Sequence, residues 1–321
     1  MYDVLIVGGG PAGLNAALVL GRCRRRVLLV DKGEPRNAPS RGVNGFLTRD
    51  GCKPHDLRRI GRKELTQYDT VEVRDGDVVR AEGRNSHFAM ELAGGERVEG
   101  RKLLLATGLH EDLPPVDGFE ELFGTGVWNC PYCDGWENRD KPLAVYGQGS
   151  SGKNFALEMT IWSRDLVFLT DGPTDLTDEE RAELDREGIR LDERKLARLE
   201  GDENGLERIV FADGEPLARK GLFFIYGERA PSDLVTQLGC ELTSKGTVPT
   251  HGYEKTNVPG LYAAGDASRR VQFAIVAAAE GAMAAFAINT ELLKEDLKAR
   301  AEQRHASHGS GADTRAQGAA A

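Results

Sequence analysis

The sequence predicts an α/β fold built from two Rossmann-like units, and three observations carry that expectation. An apolar strand, a glycine-rich turn and a helical stretch follow one another near the start of the chain, and the same order returns near residue 143. A second apolar strand behind the first turn ends in an acid at the spacing a nucleotide-binding unit needs. At 321 residues the chain is also long for a single core, so two domains with a cleft between them are expected.

In the first unit "DVLIV" is an apolar, β-branched run of the kind that fills a buried parallel strand, "GGGPAG" is the turn, and the apolar spacing of "LNAALVLGR" fits a helix. Gly8, Gly10 and Gly13 fit G-x-G-x-x-G, with Pro11 and Ala12 between them. The first glycine allows the tight turn, the second lets a pyrophosphate approach the backbone, and the third lets helix and strand pack closely. The next strand, "RVLLV", ends in Asp31, followed by Lys32, and the Asp31 carboxylate can accept both hydroxyls of an adenosine ribose. These residues predict a dinucleotide site.

Composition limits the other readings. Hydrophobic residues make up 40% and charged residues 29%, and no apolar run approaches the roughly 20 residues of a membrane helix. The net charge of −9 argues against a nucleic-acid partner, and the arginines of "GRCRRRVLLV" read as the solvated approach to a strand. The N-terminus, "MYDVLIVGGG", has neither a basic stretch nor a cleavage site, which predicts a cytoplasmic protein. Five cysteines, Cys23, Cys52, Cys130, Cys133 and Cys240, make no disulfide scaffold. In a reducing compartment the C-x-x-C of "VWNCPYCDGWENRD" is then catalytic or metal-binding rather than structural.

The strand of "VEGRKLLLATGLHEDLPPVDGF" ends in Ala106-Thr107-Gly108, and Pro114 and Pro115 mark an exit from the first domain. After the C-x-x-C come the strand "PLAVYG", a second glycine turn with Gly147, Gly149 and Gly152, the helix "FALEMTIW" and the strand "DLVFLTDG". "LTDEERAELDREG" reads as a solvated helix. From about residue 243 the pattern changes to a short strand, Gly265-Asp266 and a long alanine-rich helix. The stretch from about Glu302 has no apolar face, so residues 301–321 are expected to be a flexible tail, with His305 and His308 solvated rather than metal-binding.

Taken in order, "GGGPAG" with Asp31, "ATG" at 106–108, "CPYCDG" between two glycine turns, and "GLYAAGD" followed by Gln272 resemble the low-molecular-weight thioredoxin reductases and their relatives over about residues 3–295. The resemblance implies two three-layer ββα nucleotide-binding domains, the second inserted into the first. Residues 1–113 and 243–300 would form a discontinuous FAD domain, and residues 114–242 an inserted NAD(P)-like domain carrying the C-x-x-C. It further implies that Thr107, Gly108, Gly265 and Asp266 lie along the flavin, Asp266 at its ribityl and phosphate region, and that Gln272 and Phe273 meet the isoalloxazine edge. A homodimer is implied as well. Zinc would require two more thiolate or imidazole ligands, and the three remaining cysteines are single. A redox-active dithiol fits the resemblance, with Cys133 facing the flavin, Cys130 meeting the substrate and Asp134 as acid/base. Asp134 also fits the N-cap of a following turn.

The sequence departs from the NADPH-linked members in two places. Where they carry a histidine-arginine-arginine group that grips a 2′-phosphate, this chain reads Thr170-Asp171-Gly172. NADPH is therefore expected to bind poorly, while the intact glycine turn keeps NADH or a second FAD as candidate ligands. "GFLTRDG" and "CPYCDGWE" are similar to bacterial dithiol oxidases that close disulfides of the gliotoxin and holomycin type, although those typically carry histidine at the position of Asp134. Pro131 and Tyr132 replace the small residues common between the reductases' cysteines. The expected function is an FAD-dependent thiol–disulfide oxidoreductase acting on a thioredoxin-like protein or a small-molecule dithiol, without NADPH. An oxygen-dependent dithiol oxidase, an ordinary NAD(P)H thioredoxin reductase and a non-catalytic redox-sensing flavoprotein are the alternatives.

Overall fold

In the computed structural model, which describes residues 1–230, 233–243, 246–268 and 271–309, the first parallel strand β1 (Tyr2–Val7) buries Val4 through Val7. Burial on both faces belongs to the middle of a sheet covered on both sides. The turn after it opens α1 (Pro11–Arg22), which has proline at its first position and Arg22 in its last turn, where the helix dipole favours a cation. There follow β2 (Val27–Asp31), α2 (Pro54–Leu65), β3 (Val71–Asp75) and three strands of a meander, β4 (Val78–Arg84), β5 (His87–Leu92) and β6 (Arg97–Leu105). The sheet runs β3-β2-β1-β6-β5-β4. β1, β2, β3 and β6 are parallel, and β4 and β5 join antiparallel.

The chain then crosses to the second unit along β7 (His110–Asp112). Its elements are α3 (Phe119–Leu122), β8 (Val127–Trp128), α4 (Pro131–Asp134), β9 (Leu143–Tyr146), α5 (Gly149–Glu158), β10 (Leu166–Leu169), α6 (Asp178–Arg186) and β11 (Arg190–Asp192). β12 (Leu196–Asp202), β13 (Gly205–Phe211), β14 (Leu217–Ala218) and β15 (Gly221–Phe224) complete it. The order β11-β10-β9-β15-β8 is parallel, and β12-β13-β14 form a separate antiparallel sheet. The return runs through β16 (Gly227–Arg229), which pairs antiparallel with β7, so both crossings share one two-stranded ribbon.

After β16, α7 (Leu234–Gln237) already packs with the first unit: Leu234, Val235 and Leu238 share a core with Leu5, Leu28 and Phe88. The return to the first unit thus comes before residue 243. β17 (Leu261–Ala263) then pairs parallel with β6, which makes the second unit an insertion into the first. α8 (Ala274–Gly309) closes the fold against α1, with Ala284, Ala285 and Ile288 meeting Ala16, Ala17 and Leu20. A side chain at Gly281 would strike the Ala12 carbonyl at 2.0 Å, so the two helices touch backbone to backbone there.

Two sequence expectations change. The helix continues through Gly309 instead of ending near residue 300, because residues 294–304 are mostly good helix formers (alanine, leucine, glutamate, glutamine, lysine and arginine), with no proline or glycine from residue 294 up to Gly309. Residues 310–321, and the side chain of His308, lie outside the described residues. By length and composition α8 is also apolar enough to cross a membrane, although half of that apolar window is buried against the rest of the protein.

Candidate redox-active site

Three glycines shape the first nucleotide cradle. Gly8 has φ +108°, and a side chain on it would strike the Ala106 carbonyl at 2.2 Å, while one on Gly13 would strike the Gly8 carbonyl at 1.9 Å. Gly10, by contrast, faces open space. That is the position at which a pyrophosphate must reach the backbone at the start of α1. Asp31 sits at the end of β2, 6% exposed. Its Oδ1 accepts from the Gly33 amide at 3.1 Å, and its Oδ2 pairs with Arg58 at 2.5 Å and with Arg62 at 3.7 Å. Lys32 turns away to Glu34 and Asp77 and is more than half exposed.

The far end of the cradle is built by residues distant in sequence. Gly265 has φ +77°, and its amide donates to Glu280 of α8 at 2.7 Å. Asp266 follows, its carboxyl pushed above the usual range by burial and held back by the neighbouring Arg36, 3.2 Å away. Arg36 also donates to Gln272. Gly108 has φ +68° beside the Ala106 and Thr107 backbone that packs on Gly8. An open turn at Gly10, a buried carboxylate at Asp31 and a polar end at Asp266 and Gln272 match the diphosphate, ribose and ribityl-to-ring parts of FAD, so the residues present fit that group.

Cys130 and Cys133 form a disulfide. Cys130 is the N-cap of α4, its sulfur accepting from the Cys133 amide at 3.2 Å, so Asp134 is the helix's last residue and not a cap. Asn44, from the first unit, donates to the Cys133 carbonyl at 2.7 Å, and the ring of Tyr132 lies 5.9 Å from that of Phe273. The disulfide therefore sits at the junction of the two units, on the side of Gln272 and Phe273. Burial, with a smaller contribution from Glu137, raises the Asp134 carboxyl to about 7. A carboxyl that titrates near neutrality can give or take a proton at neutral pH.

The second cradle has the expected glycines but different surroundings. Gly147 and Gly152 pack on each other, and Gly149 has φ +55°. Asp175 lies 3.1 Å from where a Gly149 side chain would begin. Glu180 of α6 accepts from Ser150 at 2.6 Å, and Glu183 pairs with the buried Lys153 at 2.6 Å. The protein's own acids thus occupy the first turns of α5, where a pyrophosphate would sit. Asp171 is turned inward: it pairs with Lys195 at 2.9 Å and accepts from the Leu196 amide at 2.8 Å. Arg181 is bound to Glu193 at 3.0 Å.

Comparison with known proteins agrees with this geometry. The model of the "Pyridine nucleotide-disulphide oxidoreductase" family matches residues 2–281. The chain belongs to this family. It is 30% identical over 311 residues to thioredoxin reductase aclD of Aspergillus oryzae, covering 91% of this chain and 96% of that one. Among solved structures it is similar to HlmI, with a TM-score of 0.90 and 37% identity over 95% of this chain and 97% of the other. It is similar also to the putative thioredoxin reductase TrxB of Bacillus anthracis, with a TM-score of 0.87 and 33% identity over 92% of this chain and all of that chain.

As a pyridine nucleotide-disulphide oxidoreductase the protein is a flavin-dependent disulfide oxidoreductase, and the Cys130–Cys133 disulfide lies at the junction of its two units. The fold gathers Gly8, Gly10, Pro11, Ala12, Gly13, Asp31, Gly265, Asp266 and Gln272 around one cradle, while the side chain of Lys32 pairs with Glu34 and Asp77 and that of Asp171 with Lys195. Sequence reading missed Arg36, Asn44, Arg58, Asp175, Glu180 and Glu280. Arg36 had no local signal, because its partners lie 75 to 236 residues away, whereas Glu280 lies 15 residues from the Gly265 amide it holds. Asp175 and Glu180 were readable as two acids just behind the second unit's strand.

Proposed function

We propose that this flavoenzyme exchanges electrons between FAD and a dithiol or disulfide through Cys130 and Cys133, and that nicotinamide dinucleotides are not its main electron donors. The observation that carries the reading is the disulfide at the unit junction, held by Asn44 and Tyr132–Phe273 beside the residues that suit a flavin, with a near-neutral carboxyl next to it. Cys130, at the start of α4, takes the attack of the substrate thiolate. Cys133 leaves as thiolate, and Asp134 supplies the proton it takes up. A second substrate thiol then displaces Cys130 and the substrate disulfide departs, leaving two electrons in the dithiol for FAD. FAD supplies the two-electron acceptor that returns the pair to the disulfide.

The acids around α5 support a closed nicotinamide route: Asp175 and Glu180 put negative charge where a pyrophosphate would bind. In a second reading O2 is the acceptor that reoxidises the reduced flavin, so that dithiol plus O2 gives disulfide plus hydrogen peroxide. The partner is a thioredoxin-like protein or a small-molecule dithiol in the cytoplasm. The chain works as a homodimer: the exposed Ile275, Phe286, Leu293 and Leu297 fall within about 40° of one another around α8 and give it an apolar stripe. The deciding experiment is anaerobic mixing of oxidised protein with NADPH, NADH, reduced ferredoxin or dithiols while the flavin absorbance is followed. Rapid bleaching by micromolar NADPH, and none by dithiols, would overturn the reading.

A further inference from the structure

The ribbon that joins the two units carries a charge problem. Glu111 of β7 and Glu228 of β16 are direct partners across the antiparallel pair. Residues so placed have Cβ atoms only about 5 Å apart, and like charges there repel. Both carboxylates meet Arg36, whose side chain is 16% exposed: Nε lies 2.7 Å and Nη2 2.5 Å from Glu111, and Nη2 lies 3.7 Å from Glu228. The remaining nitrogen, Nη1, reaches the other way, to Asp266 at 3.2 Å and to Gln272. Gln272 closes the circuit by donating to Glu228 at 2.7 Å. One planar guanidinium thus bonds the connecting ribbon with one part of its fork and the flavin-facing pair with another, which a lysine could not do.

Resting on the FAD reading above, we propose that Arg36 is a positioning residue that couples flavin binding to the ribbon between the units. Asp266 and Gln272 lie at the cofactor end of the network and Glu111 and Glu228 at the hinge end, and among the described residues Arg36 is the one cation placed between them. A ligand that fixes Asp266 and Gln272 also fixes Arg36, and through it clasps the two strands. Linkage makes the effect reciprocal: loosening the ribbon must weaken FAD.

The test is a double-mutant cycle on FAD affinity, measured by titrating the full-length apoprotein with FAD and following flavin fluorescence. Glu111 hydrogen-bonds Arg36 and no residue of the cradle, while its charge also opposes that of Asp266 directly, so a weakening of FAD by Glu111→Gln can run only through Arg36, and the direct path gives the opposite sign. It is expected to weaken FAD several-fold in the parent and to have no effect, or a slight strengthening from relieved repulsion, in an Arg36→Met background. Arg36→Lys, which keeps the charge but cannot fork, is a second background in which the Glu111→Gln effect should vanish, and it serves if Arg36→Met does not fold. The same fold-change from Glu111→Gln in parent and Arg36-substituted proteins, or no change in any of them, overturns the proposal. Failure of the parent apoprotein to bind FAD at all would overturn the cofactor reading on which it stands.

Discussion

Replacing Asp134 by asparagine should separate its catalytic value from its cost to the fold. An unfolded aspartate releases its proton near pH 4, whereas the folded Asp134 keeps it to about 7. Between those values the folded state binds more protons than the unfolded one, so stability falls as pH rises from about 4 to about 7 and then levels off. A shift of about three units at ~1.4 kcal/mol each is at most ~4 kcal/mol, and water reaching this half-buried group reduces it to a few. Asp134→Asn, with the same shape and no charge, escapes that cost. It should melt at about the parent's temperature at pH 4.5 and several degrees higher at pH 8, at about 2–4 °C per kcal/mol. The same substitution removes a general acid worth about 10²-fold or more in rate. Reduction of the oxidised protein by a dithiol should therefore slow by that factor at pH 6, and the part of the rate profile that declines above about pH 7 should vanish. Calorimetry with the disulfide kept oxidised and stopped-flow flavin absorbance would measure both. A variant no more stable than the parent at pH 8 relative to pH 4.5 would refute the burial reasoning, and an unchanged rate profile would remove Asp134 from the proton transfer.

Cys133→Ser should abolish electron exchange between flavin and dithiol, whereas Cys130→Ser should keep a Cys133 thiolate and show a long-wavelength charge-transfer band; the band in the opposite variant would reverse the roles. Gly10→Ala should leave the apoprotein's melting temperature almost unchanged, since the position faces open space, yet weaken FAD about tenfold or more in a fluorescence titration, while Gly8→Ala should fail to fold normally against Ala106. Losing arginine contacts worth roughly 1.5–3 kcal/mol each should make NADPH at least about a hundredfold weaker than in an arginine-bearing reductase. Asp175→Asn with Glu180→Gln should improve NADH binding, read by isothermal titration, and no gain would show that these acids do not close the second cradle.

The strand-turn-helix units, the acid at the end of β2 and the C-x-x-C were legible because each is short and periodic, with its chemistry in adjacent residues. The insertion was legible only through the resemblance, since what makes it is the pairing of β17 with β6, some 160 residues apart. Asp171 shows what local reading does not contain. A carboxylate at the end of a second strand has one meaning when it faces a ribose and another when Lys195 and the Leu196 amide draw it inward, and that choice depends on where β12 begins. The length of α8 is hidden in the sequence because a stretch with no apolar face suits a mobile tail and a solvated helix alike, and only its helix-forming composition favours the latter.

Because β7 and β16 lie side by side, the inserted unit has its entrance and its exit about 5 Å apart, the spacing of neighbouring strands. A peptide of a few residues could bridge that gap. Joining His110 to Arg229 through such a peptide turn would replace 118 residues without breaking β1, β2, β3 or β6, or the pairing of β17 with β6. The cofactor unit is thus a scaffold with a socket, into which a different disulfide-bearing cassette could be grafted at the same two points.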